Sequence, residues 1–525
     1  MIHTFAAIHL GSFELEMGIY EISAKSGVRQ IDHVRHMIAL GRDTFDTGKI
    51  SYPLVEEICQ VLEEFGRIMK TYQVTDYRAC ATTALREAQN SRIILDQIQV
   101  RTGIRIYVVS NSEQRFTSYK ALASRDADFQ KTIQTGTAIV DMGFGSLQIS
   151  LYDKDALVST QNLPLGVLRL KHYMTQVQAT ARQEQSLIRE IIDNELVTYR
   201  KIYLKDRDIQ NLIGIGTPIL TMYYRMDGLT AQKNRISREE FNHFFGRLCT
   251  MNMDQIEETF DVNAEYAALL FPAAAILKRM FELTGAQGLW VPGIRIEDGI
   301  AAEYAQEKGL LKFNHDFDND IIVASRNMAR RYKCHMSHVQ TVESEALLVF
   351  DSLKKYHGLG ERERLLLRIA SVLHSCGKFV TMRDASNRAY NIIMATELIG
   401  LSHLERELVA NIVRYQMQPF KYNEVVVHQD EVGSRRLATP ENLVMVVAKL
   451  TAILRLANSM DRGHRAKLAG SRIAVKDKKL VITTDCPEDV MLEDLSIQQK
   501  SDFFEEIFGI RPVLRQKKNK RAESR

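Results

Sequence analysis

Three short glycine-bearing turns dominate the chemistry open to this 525-residue chain: His9-Leu10-Gly11-Ser12-Phe13-Glu14, Met142-Gly143-Phe144-Gly145-Ser146 and Gly214-Ile215-Gly216-Thr217. Each lies against apolar runs of strand character. Such turns can aim several backbone N–H groups at one anion, which is how proteins hold phosphate without setting a full charge at every oxygen. Asp141 directly precedes the second turn, where a carboxylate either meets a metal ion that bridges phosphate oxygens or caps the turn. Glu113, in Ser110-Asn111-Ser112-Glu113-Gln114-Arg115, stands at the expected start of a helix. Capping is the ordinary role of such a residue; at the mouth of a phosphate cleft it would act as general base toward water. Any one turn alone is better explained as a structural tight turn. Three in one α/β region point to phosphate.

The elements around these turns repeat. Residues 3–22 pattern as two apolar strands meeting at Gly11–Ser12, and residues 137–153 as strand, glycine turn and strand again. A duplicated unit at domain length is more informative than either copy. Between the copies, Ser51 suits an N-cap and Pro53 a first turn, and Leu54, Ile58, Val61, Leu62, Phe65 and Met69 make one stripe, which predicts a helix over 51–72. Residues 77–88 and 104–116 each run from a strand into a helix, and 137–310 repeats the mixture, so an α/β fold is expected. From about residue 318 long amphipathic segments take over, predicting a mostly helical domain. After Gly470 a hairpin and a helix predict a small α+β cap. The expected domains are 1–125, 126–312, 318–470 and 471–510, followed by a basic tail, 511–525.

Composition bounds the classes. With 45% hydrophobic residues, 28 Gly and 9 Pro, the chain is neither disordered nor collagen-like. The formal charge of +4 comes from 69 basic against 65 acidic residues. The stretch from Arg511 to Arg525 holds seven basic residues and one acid, so the body is slightly acidic. A short terminal run of this kind is ordinarily solvated, and a nucleic-acid partner is not expected. Six scattered cysteines without a CxxC pair and no leader-like start fit a reducing cytoplasm. The longest apolar run, Tyr266 to Leu277, is short of the ~20 residues that cross a bilayer, so no membrane span is expected.

Taken in order, IHLGSFELEMGIYEI, ATTALREAQN, VVSNSEQRF, AIVDMGFGSLQI, NLPLGVLRL, IGIGT and IEDG resemble the motif set of the exopolyphosphatase/guanosine pentaphosphate phosphohydrolase (Ppx/GppA) family. The resemblance spans residues 1–310 and implies two ribonuclease-H-like lobes of the actin-like ATPase fold around a cleft. LHSCGK (373–378), GLSHLERELVANIVRYQ (400–416) and LRLANSMDR (454–462) are similar to the HD-like helical domain of the family's longer members. The resemblance further implies that Glu113 is the catalytic base and that Asp141 works with Mg2+. Arg86 matches a basic position facing the phosphate chain, and Gly11, Ser12, Gly143, Gly145, Ser146, Gly214, Gly216 and Thr217 match the phosphate loops. The implied reaction is hydrolysis of a terminal phosphoanhydride of inorganic polyphosphate or guanosine pentaphosphate, in a homodimer.

The chain also departs from that pattern. The family's first loop typically runs DIGSNS, so His9 replaces an acid, Phe13 an amide and Glu14 a hydroxyl. A Glu14 carboxylate 4 Å from a phosphate oxygen would be repelled by about 4 kcal/mol at an effective dielectric near 20. Phe144 stands where Gly is usual, Leu147-Gln148 where Thr-Glu is usual, and Glu297 where Arg is frequent. In the helical region His338 and His374 remain, but Ser375 holds the Asp position, Asn458 a late acidic one and Gln416 a His one. That ligand set is incomplete for a divalent ion, so a structural or substrate-holding role is expected there. Two readings follow: a phosphoanhydride hydrolase resting on Glu113 and Asp141, or an impaired relative that binds polyphosphate or a guanosine alarmone as a regulator.

Overall fold

The computed structural model describes residues 2–125, 128–178, 180–205, 207–226, 234–425 and 440–517. The chain folds as two units, Met1–Phe317 and Asp318–Arg525. The first unit carries two sheets. In the first, β1 (His3–Leu10), β2 (Glu14–Ser23) and β3 (Gly27–Met37) form an antiparallel meander, and β4 (Asp76–Ala81) and β5 (Ile106–Val108) add in parallel, giving the order β3-β2-β1-β4-β5. Nearly every residue of β2 is buried, as expected of a strand covered on both faces.

The second sheet repeats the arrangement. β6 (Thr137–Met142), β7 (Leu147–Asp153) and β8 (Ala156–Leu163) form the meander, and β9 (Asn211–Ile215) adds in parallel to β6. β10 (Arg235–Ser237) and β11 (Gly288–Trp290) complete the order β10-β11-β9-β6-β7-β8. Both sheets therefore share the 3-2-1-4-5 ribonuclease-H-like order, and the fold is the expected duplicated, actin-like α/β one. The helix predicted over 51–72 spans Tyr52–Thr71 with Pro in its first turn, burying Val55, Ile58, Cys59, Leu62 and Phe65.

Two helices of the first unit pack against the sheet of the lobe that does not precede them in sequence. Helix Ile296–Glu307, expected in the second lobe, packs on the first sheet: Ile300, Ala301, Tyr304 and Ala305 share one buried cluster with Phe5, Ala7, Tyr20 and Ile22. The Phe5 and Tyr304 rings stack 4.1 Å apart, and the Tyr20 hydroxyl donates to Asp298 at 3.0 Å. Helix Asn111–Arg125, expected in the first lobe, lies against the second sheet, with Tyr119 edge-on to Tyr152 at 5.9 Å and Arg115 donating to Gln148 at 2.8 Å. Apolar stripes are satisfied by whichever sheet face is open, not by the nearest one in sequence.

The second unit is helical as expected, including Met336–Ser352, Glu361–Leu373, His403–Tyr415 and Pro440–Met460. In the last of these, Asn442–Met460 has the length and hydropathy of a membrane span, but 78% of that window is buried within the protein, as in a core helix. The α+β cap extends further than residue 510. Strands Arg472–Lys476, Lys479–Thr484 and Arg511–Gln516 form one sheet with helix Met491–Phe508 as the crossover. Residues 511–516, expected to open the basic tail, are thus a strand parallel to 479–484; residues 518–525 lie outside the described residues.

Candidate functional site

The glycine turns of the two meanders have the same internal bond. The Gly11 N–H donates to the Glu14 carbonyl at 2.8 Å, and the Gly143 N–H to the Ser146 carbonyl at 2.9 Å. Those two N–H groups close the turns. The second turn sits against the first lobe so closely that a Cβ on Gly145 would fall 2.7 Å from Thr83 and 3.0 Å from the Ser12 hydroxyl. Gly166 supports the same turn from behind, since a Cβ there would lie 2.1 Å from the Gly145 carbonyl carbon. Gly216, at φ +102°, caps helix Thr217–Tyr224 and passes over the end of β6, where a Cβ would stand 2.1 Å from the Met142 oxygen.

These turns line an open cleft between the two sheets' meanders. Gly11, Ser12, Asp141, Gly143, Gly145, Ser146, Gly216 and Thr217 all line it, together with His9, Glu14, Glu16, Thr82, Gln114 and Ser118. Three other expected residues stand elsewhere among the described residues. Gly214 is inside β9, paired with Val140, where a Cβ would press on Ile219 and Leu289 at 3.1 Å. Arg86 donates to the Val109 carbonyl at 2.7 Å and to Asn111, tying its short helix to the following strand and helix. Glu113 accepts the Ser110 N–H at 2.9 Å, closing the first turn of its own helix. Its neighbour Gln114 faces the cleft in its place, with a buried side-chain oxygen that has no hydrogen-bond partner. Adjacent helix positions point about 100° apart, so sequence alone could not tell which of the two turns inward.

The departures from the family pattern prove to be paired. Phe13 and Phe144 pack ring to ring at 4.8 Å, and Tyr266 closes edge-on against Phe13 at 5.3 Å, so the aromatic changes in the two turns are one apolar contact. His9 and Glu297 face one another at 3.3 Å, so the acid-to-imidazole and arginine-to-acid changes exchange sign together. Gln148 accepts from the fully buried Arg115. No sequence motif singles out Glu16, which lies 3.7 Å from His9 and 3.5 Å from His33. Its alternation with Glu14 along β2, both buried, was the available signal.

Burial and the neighbouring Glu16 push the Glu14 carboxyl up to about 8, against the pull of Arg35 3.3 Å away. Burial also raises Asp141 to about 6, against Ser118 and Arg115, and one Asp141 oxygen has no hydrogen-bond partner. Burial favours neutral His9, but Glu16 and Glu297 outweigh it and lift the ring to about 9. Glu16 and Glu297 together therefore favour positive charge at His9.

In the second unit His338 and His374 meet, ring nitrogens 3.3 Å apart. The carboxylate beside them is Asp461, bonded to His338 at 2.7 Å, and not position 458. Burial lowers His374 to about 3, and its other nitrogen bonds the Ser371 carbonyl at 2.7 Å. The Ser375 hydroxyl is buried without a hydrogen-bond partner.

Residues 19–306 match the model of the Ppx/GppA phosphatase family, and residues 323–501 that of the Ppx/GppA phosphatase domain III. A guanosine-5'-triphosphate,3'-diphosphate pyrophosphatase of Aeromonas hydrophila is 21% identical over 460 residues, 86% of each chain. The crystal structure of an exopolyphosphatase from Cytophaga hutchinsonii superposes with a TM-score of 0.51 at 15% identity, covering 58% of this chain and 98% of that one. An exopolyphosphatase-like protein gives the same TM-score of 0.51 at 18% identity over 58% of this chain and 99% of its own. Two ribonuclease-H-like lobes, glycine turns converging on Asp141 and these matches over more than half its length make the chain a member of the Ppx/GppA phosphatase family.

Proposed function

We propose that the cleft holds the terminal phosphates of inorganic polyphosphate or guanosine pentaphosphate and hydrolyses the outermost phosphoanhydride slowly, with binding better preserved than turnover. One observation carries this reading: the glycine turns converge around Asp141, while the side chain that the Glu113 turn aims at the cleft is the amide Gln114. The hydroxyls of Ser12, Ser146 and Thr217 and free turn N–H groups donate to phosphate oxygens. Asp141, with one oxygen unbonded, suits a divalent ion held by one carboxylate, waters and phosphate. Mg2+ bound there would neutralise charge on the phosphate oxygens. The attacking water must lose a proton as the terminal P–O–P bond breaks. An amide does not accept that proton, and Glu113 is engaged by the Ser110 N–H. A positioned base contributes typically 10²–10⁴-fold, so its loss leaves a binding site with weak turnover. The pyrophosphatase name of the Aeromonas relative supports the substrate class.

The test is phosphate release from both substrates, with and without Mg2+, alongside equilibrium binding. Gln114→Glu is expected to raise release on the order of 10²-fold at similar affinity. Wild-type turnover that Gln114→Glu leaves unchanged and Glu113→Gln abolishes makes Glu113 the working base and overturns the weak-turnover reading. Absence of binding to either substrate overturns the whole.

A further inference from the structure

One wall of the cleft has a feature that phosphate handling does not use. His9 lies near the end of β1, Glu16 lies on β2, and Glu297 is carried in by the helix that crosses back from the second lobe. One ligand atom from each lies within 4.8 Å of the other two. The His9 Nδ1 is 3.3 Å from a Glu297 oxygen and 3.7 Å from a Glu16 oxygen. Ligands about 2.1 Å from one tetrahedral ion stand about 3.4 Å apart, close to the two His9 separations.

The hydrogen bonding agrees. The side chain of Glu297 is fully buried, and beyond the His9 contact neither of its oxygens has a hydrogen-bond partner; the His9 Nδ1 likewise has none beyond the carboxylates facing it. Buried carboxylates left this way are rare unless an ion completes them. On the far side of the imidazole, Nε2 meets the Thr82 hydroxyl at 3.2 Å. The same two carboxylates favour positive charge at Nδ1, and an ion there would take the place of that proton while Nε2–H donates to Thr82, an outer-shell bond of the kind that orients a metal-ligating histidine. His33 and Arg295 approach one Glu16 oxygen at 3.5 and 3.9 Å, and His9 faces the other, so that carboxylate is held in place.

We propose that His9, Glu16 and Glu297 form a site for a divalent transition-metal ion of the zinc or manganese class, separate from Asp141. One imidazole with two carboxylates selects such an ion over Mg2+, which favours all-oxygen surroundings. His9 and Glu16 also line the cleft, so the open side of the ion faces it.

The test uses the full chain, stripped with chelator, titrated with Zn2+ or Mn2+ alone and measured by elemental analysis and calorimetry, with no substrate present. About one equivalent is expected to bind in the presence of excess Mg2+. Glu297→Gln and His9→Asn should each weaken it on the order of 10²-fold, and Thr82→Val about tenfold, with unchanged circular dichroism in Thr82→Val guarding against misfolding. Asp141→Asn and His374→Asn should retain the ion. Failure to bind an equivalent, binding that Glu297→Gln and Thr82→Val leave unaltered, or loss in Asp141→Asn or His374→Asn overturns the proposal. Because no phosphate is used, the outcome is independent of the hydrolase reading.

Discussion

Replacing Gly216 by Ala isolates the geometry on which the cleft depends. Its backbone, at φ +102° and ψ 149°, lies in a region that only glycine occupies freely, and a side chain there costs about 1–3 kcal/mol. The added Cβ would also sit 2.1 Å from the Met142 oxygen and 2.9 Å from its carbonyl carbon. That is more than about 1 Å inside an ordinary contact, against backbone that cannot rotate away, and overpacking of this kind costs about 1–3 kcal/mol. The two terms overlap, because one movement of the turn relieves both, so the expected loss is about 2–5 kcal/mol. The movement displaces the turn from the end of β6, next to Asp141, so phosphate affinity should fall with stability. The single tryptophan, Trp290, is buried in β11 beside β9, the strand that ends at Ile215, and its fluorescence reports unfolding of this sheet in urea. Gly66→Ala is the control, since Gly66 lies in helix Tyr52–Thr71 with nothing within 4 Å of its Cβ position. It should be neutral or stabilising by up to about 1 kcal/mol. A Gly216→Ala protein within about 0.5 kcal/mol of wild type, binding polyphosphate equally well, would refute the reasoning.

The aromatic pair of the two turns should behave as a unit. Phe13→Ala is expected to destabilise the first unit by about 3–5 kcal/mol, and a cycle of Phe13→Leu with Phe144→Leu should show coupling of about 0.5–1.5 kcal/mol; strictly additive changes would mean that the 4.8 Å ring contact carries nothing. In the second unit, burial and the charge of Asp461 raise the Glu345 carboxyl from 4.5 to about 7. Because the folded value is the higher one, its contribution to stability is complete below about pH 4.5 and is lost as pH rises through 7, by at most about 3 kcal/mol. Glu345→Gln should therefore gain stability relative to wild type at pH 8 but not at pH 4.5; an equal difference at both values in thermal melts would exclude this ionisation as the cause.

Much of the site was legible because its signals are local. A glycine turn between two apolar strands is written within a dozen residues, and its recurrence at 142–146 announces the duplication before any contact is known. Asp141 and the turn residues follow from that, since a strand end and its turn move together. The helical second domain is equally local, through its 3.6-residue spacing. Tertiary structure decided what depends on where a helix goes after it leaves its strand. Helix Ile296–Glu307 crosses to the first sheet and sets Glu297 against His9, nearly 290 positions away in sequence, turning two unexplained departures into one charge-exchanged pair. Helix Asn111–Arg125 is rotated so that Gln114 and Ser118 face the cleft and Arg115 the second sheet, while Glu113 closes its own first turn. Sequence determined which residue types were available at each turn. Which carboxylates share a volume, and so compete for protons or cations, was settled by side-chain direction and by burial across the two lobes, neither of which is encoded by spacing along one segment.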